Sequence, residues 1–200
     1  MSRSLKNSLR LSKARLLFID SGSRVGGFCI TDVWIKDRKL HKRIIHFGKI
    51  KLDATSSLQD RVIDFSIIAG GIFLEYNPDM IYIEHPPDTI YGFQRLSKAG
   101  IVARAQSVFK VIAVCHGVAS HLRTMNTGRN SEIEFIFPSQ WQPSKKQRGG
   151  LDSKEWSLAT ANKLLSKHYH KPFKELKTKE EENVADAIAM SVYAVKKMLE

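Results

Sequence analysis

The sequence predicts an α/β fold, a five-stranded mixed sheet that is antiparallel over its first three strands and parallel after them, with helices on both faces. Three observations predict it. The first fifty residues alternate β-rich apolar runs with polar turns, and the hydrophobic spacing then switches to the helical period at Ser57. Over the whole chain the order of elements reads β-β-β-α-β-α-β-α-α with no internal repeat, the pattern of a sheet covered on both sides.

Leu16–Ile19 is a short apolar run that ends in Asp20 and meets the glycine-punctuated turn Ser21-Gly22-Ser23-Arg24-Val25-Gly26-Gly27. Phe28–Ile35 is β-rich, Lys36–Lys39 is a polar turn and Leu40–Leu52 is a third strand, so the three form an antiparallel meander. Ser57-Leu58-Gln59-Asp60 has capping-box spacing and opens a helix in which Leu58, Val62, Phe65, Ala69, Ile72, Phe73 and Tyr76 recur. Asn77-Pro78-Asp79 stops it. Met80–Ile83 is a second apolar run ending in an acid, Glu84, and Pro86-Pro87 prevents that strand from continuing. A long helical stretch over Phe93–Leu122, a polar loop at Asn126–Ser131 and a strand at Ile133–Phe137 follow. Trp141–Lys154 has no apolar core and carries Lys145, Lys146, Arg148, Gly149 and Gly150, so it reads as an exposed loop into a helix starting near Asp152 or Ser153. After the polar linker Lys171–Lys179, a last helix over Glu181–Leu199 places Val184, Ile188, Val192, Val195 and Leu199 on one stripe.

The 200 residues suit one domain over 15–200, preceded by a basic arm over 1–14 that holds Arg3, Lys6, Arg10 and Lys13. No acid precedes Asp20, a composition shared with short organellar targeting peptides, but a strand starting at Arg15 leaves little room for cleavage. A hydrophobic share of 42% excludes a disordered or fibrous chain. The longest apolar stretch, Val62–Tyr76, is interrupted by Asp64 and Glu75, short of the ~18 residues of a membrane span. Cys29 and Cys115 lie inside apolar runs, which argues against a disulfide scaffold and for a reducing compartment. The expected setting is intracellular and soluble: cytoplasm or nucleoid, a viral replication site, or an organelle matrix. With 32 Lys+Arg against 20 Asp+Glu the net charge is +12, which points to nucleic acid first and an anionic membrane surface second.

Asp20 and Glu84 each close an apolar strand. If those strands lie side by side and parallel, the two carboxylates meet, and one must take up a proton or a cation must sit between them. Asp186 is a third acid, set in the small and apolar helix segment Val184-Ala185-Asp186-Ala187-Ile188-Ala189-Met190, where a buried carboxylate needs a partner. Glu182 and Asn183, four and three residues earlier, project from about the same side. Oxygen ligands of this kind favour a hard ion such as Mg²⁺ or Mn²⁺ and suffice for two-metal phosphodiester cleavage. Taken singly, a strand-end Asp before Gly is an ordinary turn residue and a lone helical Asp an ordinary solvated one. Their joint occurrence on a basic chain marks a site.

The run Leu17–Phe28 closely resembles the opening strand and hairpin of RuvC-type Holliday junction resolvases, members of the ribonuclease-H-like nucleases. Gln59–Glu84, ending in Tyr76-Asn77-Pro78-Asp79-Met80-Ile81-Tyr82-Ile83-Glu84, looks like that family's second motif, and Asn183-Val184-Ala185-Asp186-Ala187-Ile188-Ala189 is similar to its last. Any one is weak, since an Asp-x-Gly strand also opens actin-like ATPases. Those need a second phosphate hairpin and a longer chain. All three in order, over about Arg15 to Lys197, are specific.

The resemblance implies a ribonuclease-H-like fold. It also implies a metal-dependent endonuclease that cuts four-way DNA junctions by paired symmetric nicks, leaving 5′-phosphate and 3′-hydroxyl ends. Asp20, Glu84 and Asp186 would hold two Mg²⁺ ions, with Mn²⁺ able to substitute. Lys154 would face the transition state, and Lys145, Lys146 and Arg148 would hold phosphates, where the plain alternative is a solvated loop. Tyr91 or Phe93 would stack on an opened base, their alternative being core packing. Two symmetric cuts imply a homodimer on branched DNA, with no membrane role. Val102, Val108 and Val111 are candidates for its interface or for core. Where the family carries an acid or His, this chain has Asn183, which brings a carbonyl oxygen but no charge; Glu182 or Glu181 would have to substitute. That departure keeps two alternatives open: a branched-DNA or RNA-binding protein on a weakened nuclease scaffold, and a nuclease acting on another branched or RNA-containing substrate.

Overall fold

The meander forms as its turns dictate. β1 (Ala14–Asp20) pairs antiparallel with β2 (Val25–Lys36), and β2 with β3 (Lys39–Lys51). On its other side β1 pairs parallel with β4 (Met80–Glu84), and β4 parallel with β5 (Glu132–Ile136), giving the order β3-β2-β1-β4-β5. The helices are α1 (Leu58–Tyr76), α2 (Lys98–Met125), the single turn α3 (Pro138–Trp141), α4 (Ser153–His168) and α5 (Glu182–Lys197). The structure, a computed structural model, describes residues 13–37, 39–86, 97–127, 130–177 and 181–197, and in the last helix the side chains through 193. Most of the expected basic arm (1–12), Tyr91, Phe93 and the Val195 and Leu199 side chains lie outside the described residues.

Strands β1 and β4 are central and covered on both faces, which is why each reads as an unbroken apolar run rather than an alternating one. Leu16, Leu17, Phe18 and Ile19 are all fully buried. Leu17, Ile19, Ile81 and Ile83 face Phe65, Phe73, Val118 and Leu122 of α1 and α2. Leu16, Phe18 and Tyr82 face Leu165, Ala185 and Ile188 of α4 and α5, and the Phe18 and Tyr82 rings stack at 5.2 Å.

Two elements depart from the sequence reading. Among the described residues the long helix starts at Lys98 rather than Phe93, because the Ser97 hydroxyl accepts from the Gly100 amide and caps it there. The turn α3 escapes periodicity because it is four residues long; Pro138 at its first position and Gln140, which accepts from the Phe137 amide, define it. Helix α2 is also long and apolar enough to cross a membrane, by length and composition. In the fold its second half is core, with Val114, Cys115, Val118, Ala119 and Leu122 fully buried. The last helix is buried on more than one stripe. Ala185, Ala187 and Ala189 join Val184 and Ile188 in the core, while Val192 is exposed.

Candidate active site

The parallel register pairs Asp20 directly with Glu84, so the last residues of two adjacent central strands stand side by side. The chain turns away at both points: after Asp20 into the turn to β2, and after Glu84 toward Pro86. Arg61, a buried cation of α1, donates from its guanidinium to the Ser23 carbonyl at 2.9 Å and pins the first turn. At the second, the His85 amide donates to the Ile136 carbonyl at 2.9 Å. Its Nε2 lies 3.2 Å from Nε2 of His116, and the Cys115 thiol donates to the Glu84 carbonyl at 3.3 Å. Burial pushes that thiol up to about 12, which keeps it a proton donor. Sequence reasoning missed these supports. A signal existed in Arg61, a cation set between Leu58 and Phe65 of an otherwise apolar helix stripe.

The third carboxylate comes from α5, and glycine admits it. Gly27 is the β2 partner of Asp20, and a Cβ there would collide with the Asn183 carbonyl and the Val184 amide at the start of α5. The helix therefore lies directly on the sheet. Asp20, Glu84 and Asp186 each present a carboxylate oxygen, all within 4.8 Å of one another. Asp20 and Asp186 are buried and Glu84 partly so.

Burial, then the Asp186 charge, push the Asp20 carboxyl up to about 7. Burial, followed by the charges of Asp20 and Asp186, holds Glu84 well above the usual carboxylate range. The two carboxyls stand close enough that each shifts the other's titration. A cation set between two such strand-end acids would relieve the cost of ionising them.

Lys154 sits in the first turn of α4, where the Asp152 carboxylate accepts from the Lys154 and Glu155 amides. Its Nζ donates to Asp186 Oδ2 at 2.9 Å and stands 3.6 Å from Glu182. Burial works against this ammonium, but Asp186, Asp20 and Glu182 overcome it and hold its pKa above the ordinary value. The other oxygen of Asp186, Oδ1, is buried with no hydrogen-bond partner among the described residues. Asn183 donates its amide to Asp20 Oδ2 at 2.8 Å, a positioning contact, and Glu181 accepts from the Lys177 amide. An orphaned buried carboxylate oxygen within 4.8 Å of two further acidic oxygens fits a hard divalent cation.

Lys145 and Lys146 are exposed and Arg148 half-buried, in a run of turns just before the Asp152 cap. Gly149 and Gly150, at φ 67° and 89°, take the left-handed conformations that fold this loop back. Asp20, Glu84, Asp186, Lys154, Glu182 and Asn183 thus meet at one place, and the cationic loop leads directly into it.

Scans against protein-family models and against curated proteins find no match. Solved structures do match. Thermus thermophilus RuvC superposes with a TM-score of 0.61 at 17% identity, over 92% of this chain and 96% of that one. The Fowlpox virus resolvase, in complex with substrate Holliday junction DNA, gives a TM-score of 0.54 at 13% identity, covering 93% and 99%. The yeast mitochondrial Holliday junction resolvase gives 0.58 at 14% identity, covering 97% and 82%. The fold is that of the RuvC-like resolvases, a ribonuclease-H-like mixed sheet, as the motifs implied.

Proposed function

We propose that this chain is a metal-dependent, structure-selective DNA endonuclease that cuts four-way junctions by paired symmetric nicks. The observation that carries the reading is the triad itself: Asp20 and Glu84 in register, with Asp186 laid against them, on a resolvase fold. Asp20, Glu84 and Asp186 would hold two Mg²⁺ ions, or Mn²⁺ in their place. When bound, these ions supply the Lewis acidity that activates water for in-line attack and neutralises charge on the leaving 3′ oxygen, leaving 5′-phosphate and 3′-hydroxyl ends.

The chain's own groups do the rest. Asn183 orients the Asp20 carboxylate, and the Lys154 ammonium, held beside Asp186, would neutralise charge developing on the phosphoryl oxygens. Lys145, Lys146 and Arg148 grip backbone phosphates without reading sequence. Tyr91 or Phe93 would stack on a base opened at the crossover. Paired cuts require two sites, so the working unit is a homodimer in an intracellular DNA-handling compartment. Two exposed apolar stripes suit its interface: Ile63, Ile67 and Leu74 on α1, and Val102 and Phe109 on α2.

The test is a labelled synthetic four-way junction, set beside duplex, flap and RNA–DNA hybrid, with and without Mg²⁺. Symmetric paired nicks on the junction alone are expected, with Asp20→Asn binding it but leaving it uncut. Undiminished cleavage by that variant would overturn the reading. One observation favours a second: Asn183 gives Asp20 an amide where the resemblance expects an acid. Tight junction binding with no cleavage of any of these substrates in Mn²⁺ would mark a binding protein on a weakened nuclease scaffold, and cleavage of the flap or hybrid instead a different substrate.

A further inference from the structure

Away from the carboxylates, the sheet builds a surface that this chemistry does not use. The edge strand β3 carries Lys39, Lys42, Arg43, Lys49 and Lys51, with His41 and His46, and no acid in its 13 residues. A charged strand alone would be a solvated edge. At its first end, however, it meets a ring. Trp34 of β2 is the register partner of His41, and the two rings stack with centroids 5.6 Å apart and planes 15° apart.

The next pair on the same side is Asp32 with Arg43. Lys13, Asp32, Trp34 and Arg43 line an open cavity of about 420 Å³. A second, of about 300 Å³, shares Lys13 and Asp32 and adds Arg15, Tyr76 and Asp79. The acids here are already engaged. Asp32 accepts from Arg15 Nε at 2.7 Å and Nη2 at 3.1 Å and pairs with Lys13 at 2.7 Å, while Asp79 accepts from the Arg15 amide. Arg43 is exposed and forms no ion pair among the described residues, and the Lys13 side chain is 56% exposed. The cavity therefore offers a half-buried indole beside Arg43 and the exposed Lys13, with the Asp32 charge already met by the two-pronged contact from Arg15. That combination takes a base on the ring and phosphates on the cations.

We propose that this surface binds single-stranded DNA, with a base against Trp34 and the flanking phosphates on Lys13 and Arg43. It lies about 20 Å from Asp20, the length of β1. It rests on the preceding reading for the class of polymer and for nothing else. The test is binding of a short fluorescein-labelled oligo(dT), read by anisotropy in EDTA so that no cutting intervenes. Trp34→Ala and Arg43→Glu should each weaken binding about tenfold. Trp34→Phe should restore most of the loss, and Arg43→Glu should lower the salt slope by about one. Unchanged affinity in both variants would overturn the site. So would an equal loss for a blunt duplex with Trp34→Ala, which would mark a general defect or a duplex surface. Oligo(dT) binding that follows this pattern in a protein that cuts no junction would remove the nuclease reading and leave the site standing.

Discussion

At the scale of single residues, the raised carboxyls make stability depend on pH in a stated direction. Asp20 holds a proton in the folded chain up to about pH 7 but loses it near 4 when unfolded. Between those values the folded state binds more protons, so metal-free stability falls as pH rises, by up to about 1.4 kcal/mol per pH unit for one proton. Thermal melts in EDTA should show that decline from about pH 4 to 7. Mg²⁺ should flatten it, and Asp20→Asn should remove Asp20's share. A flat profile in EDTA would contradict the raised carboxyls of this buried pair. Lys154 supports a kinetic expectation. Lys154→Met removes the cation at Asp186, and kcat on a cleavable junction should fall about a hundredfold with junction binding little changed. A loss confined to binding would place Lys154 among the gripping residues instead.

At the scale of elements, the site depends on how closely α5 lies on β2, and Gly27 sets that distance. Gly27→Ala drives a methyl into the Asn183 carbonyl, and a destabilisation of about 2 kcal/mol or more is expected in urea melts, along with lost cleavage. Asp152→Ala removes the α4 cap and should cost about 1 kcal/mol while tilting Lys154 away from Asp186. The strands that carry Asp20 and Glu84 were legible because central parallel strands read as unbroken apolar runs. Asp186 was legible because an acid among alanines is out of place. The hydrogen bond from Asn183 to Asp20 was not, since a side-chain contact across 163 positions leaves no local pattern. The same holds for Cys115 under Glu84 and for Arg61 on Ser23, whose partners are backbone carbonyls and so have no sequence signature. The cap that opens α2 at Lys98 was not legible either, since it is a single serine with no periodic signature.

At the scale of the whole molecule, the net charge of +12 belongs to a fold whose candidate centre gathers three acids with one paired cation, Lys154, so most of the basic residues lie outside that centre. The dimer proposal is decided at this scale: sedimentation velocity should give a two-chain species, and Phe109→Glu, placing a charge on the most exposed large apolar residue of α2, should shift it to one chain. An unshifted two-chain species would move the interface elsewhere. β3 has one more consequence. Among the described residues it is the border strand of an open sheet, a position at which an extended segment can pair, and its lysines and arginine repel a like strand that approaches. Protection from self-aggregation is thus built into this strand. Neutralising Lys39, Arg43 and Lys51 together to Gln should turn a dispersed protein into one that precipitates on standing, whereas Glu at the same three positions should leave light scattering unchanged.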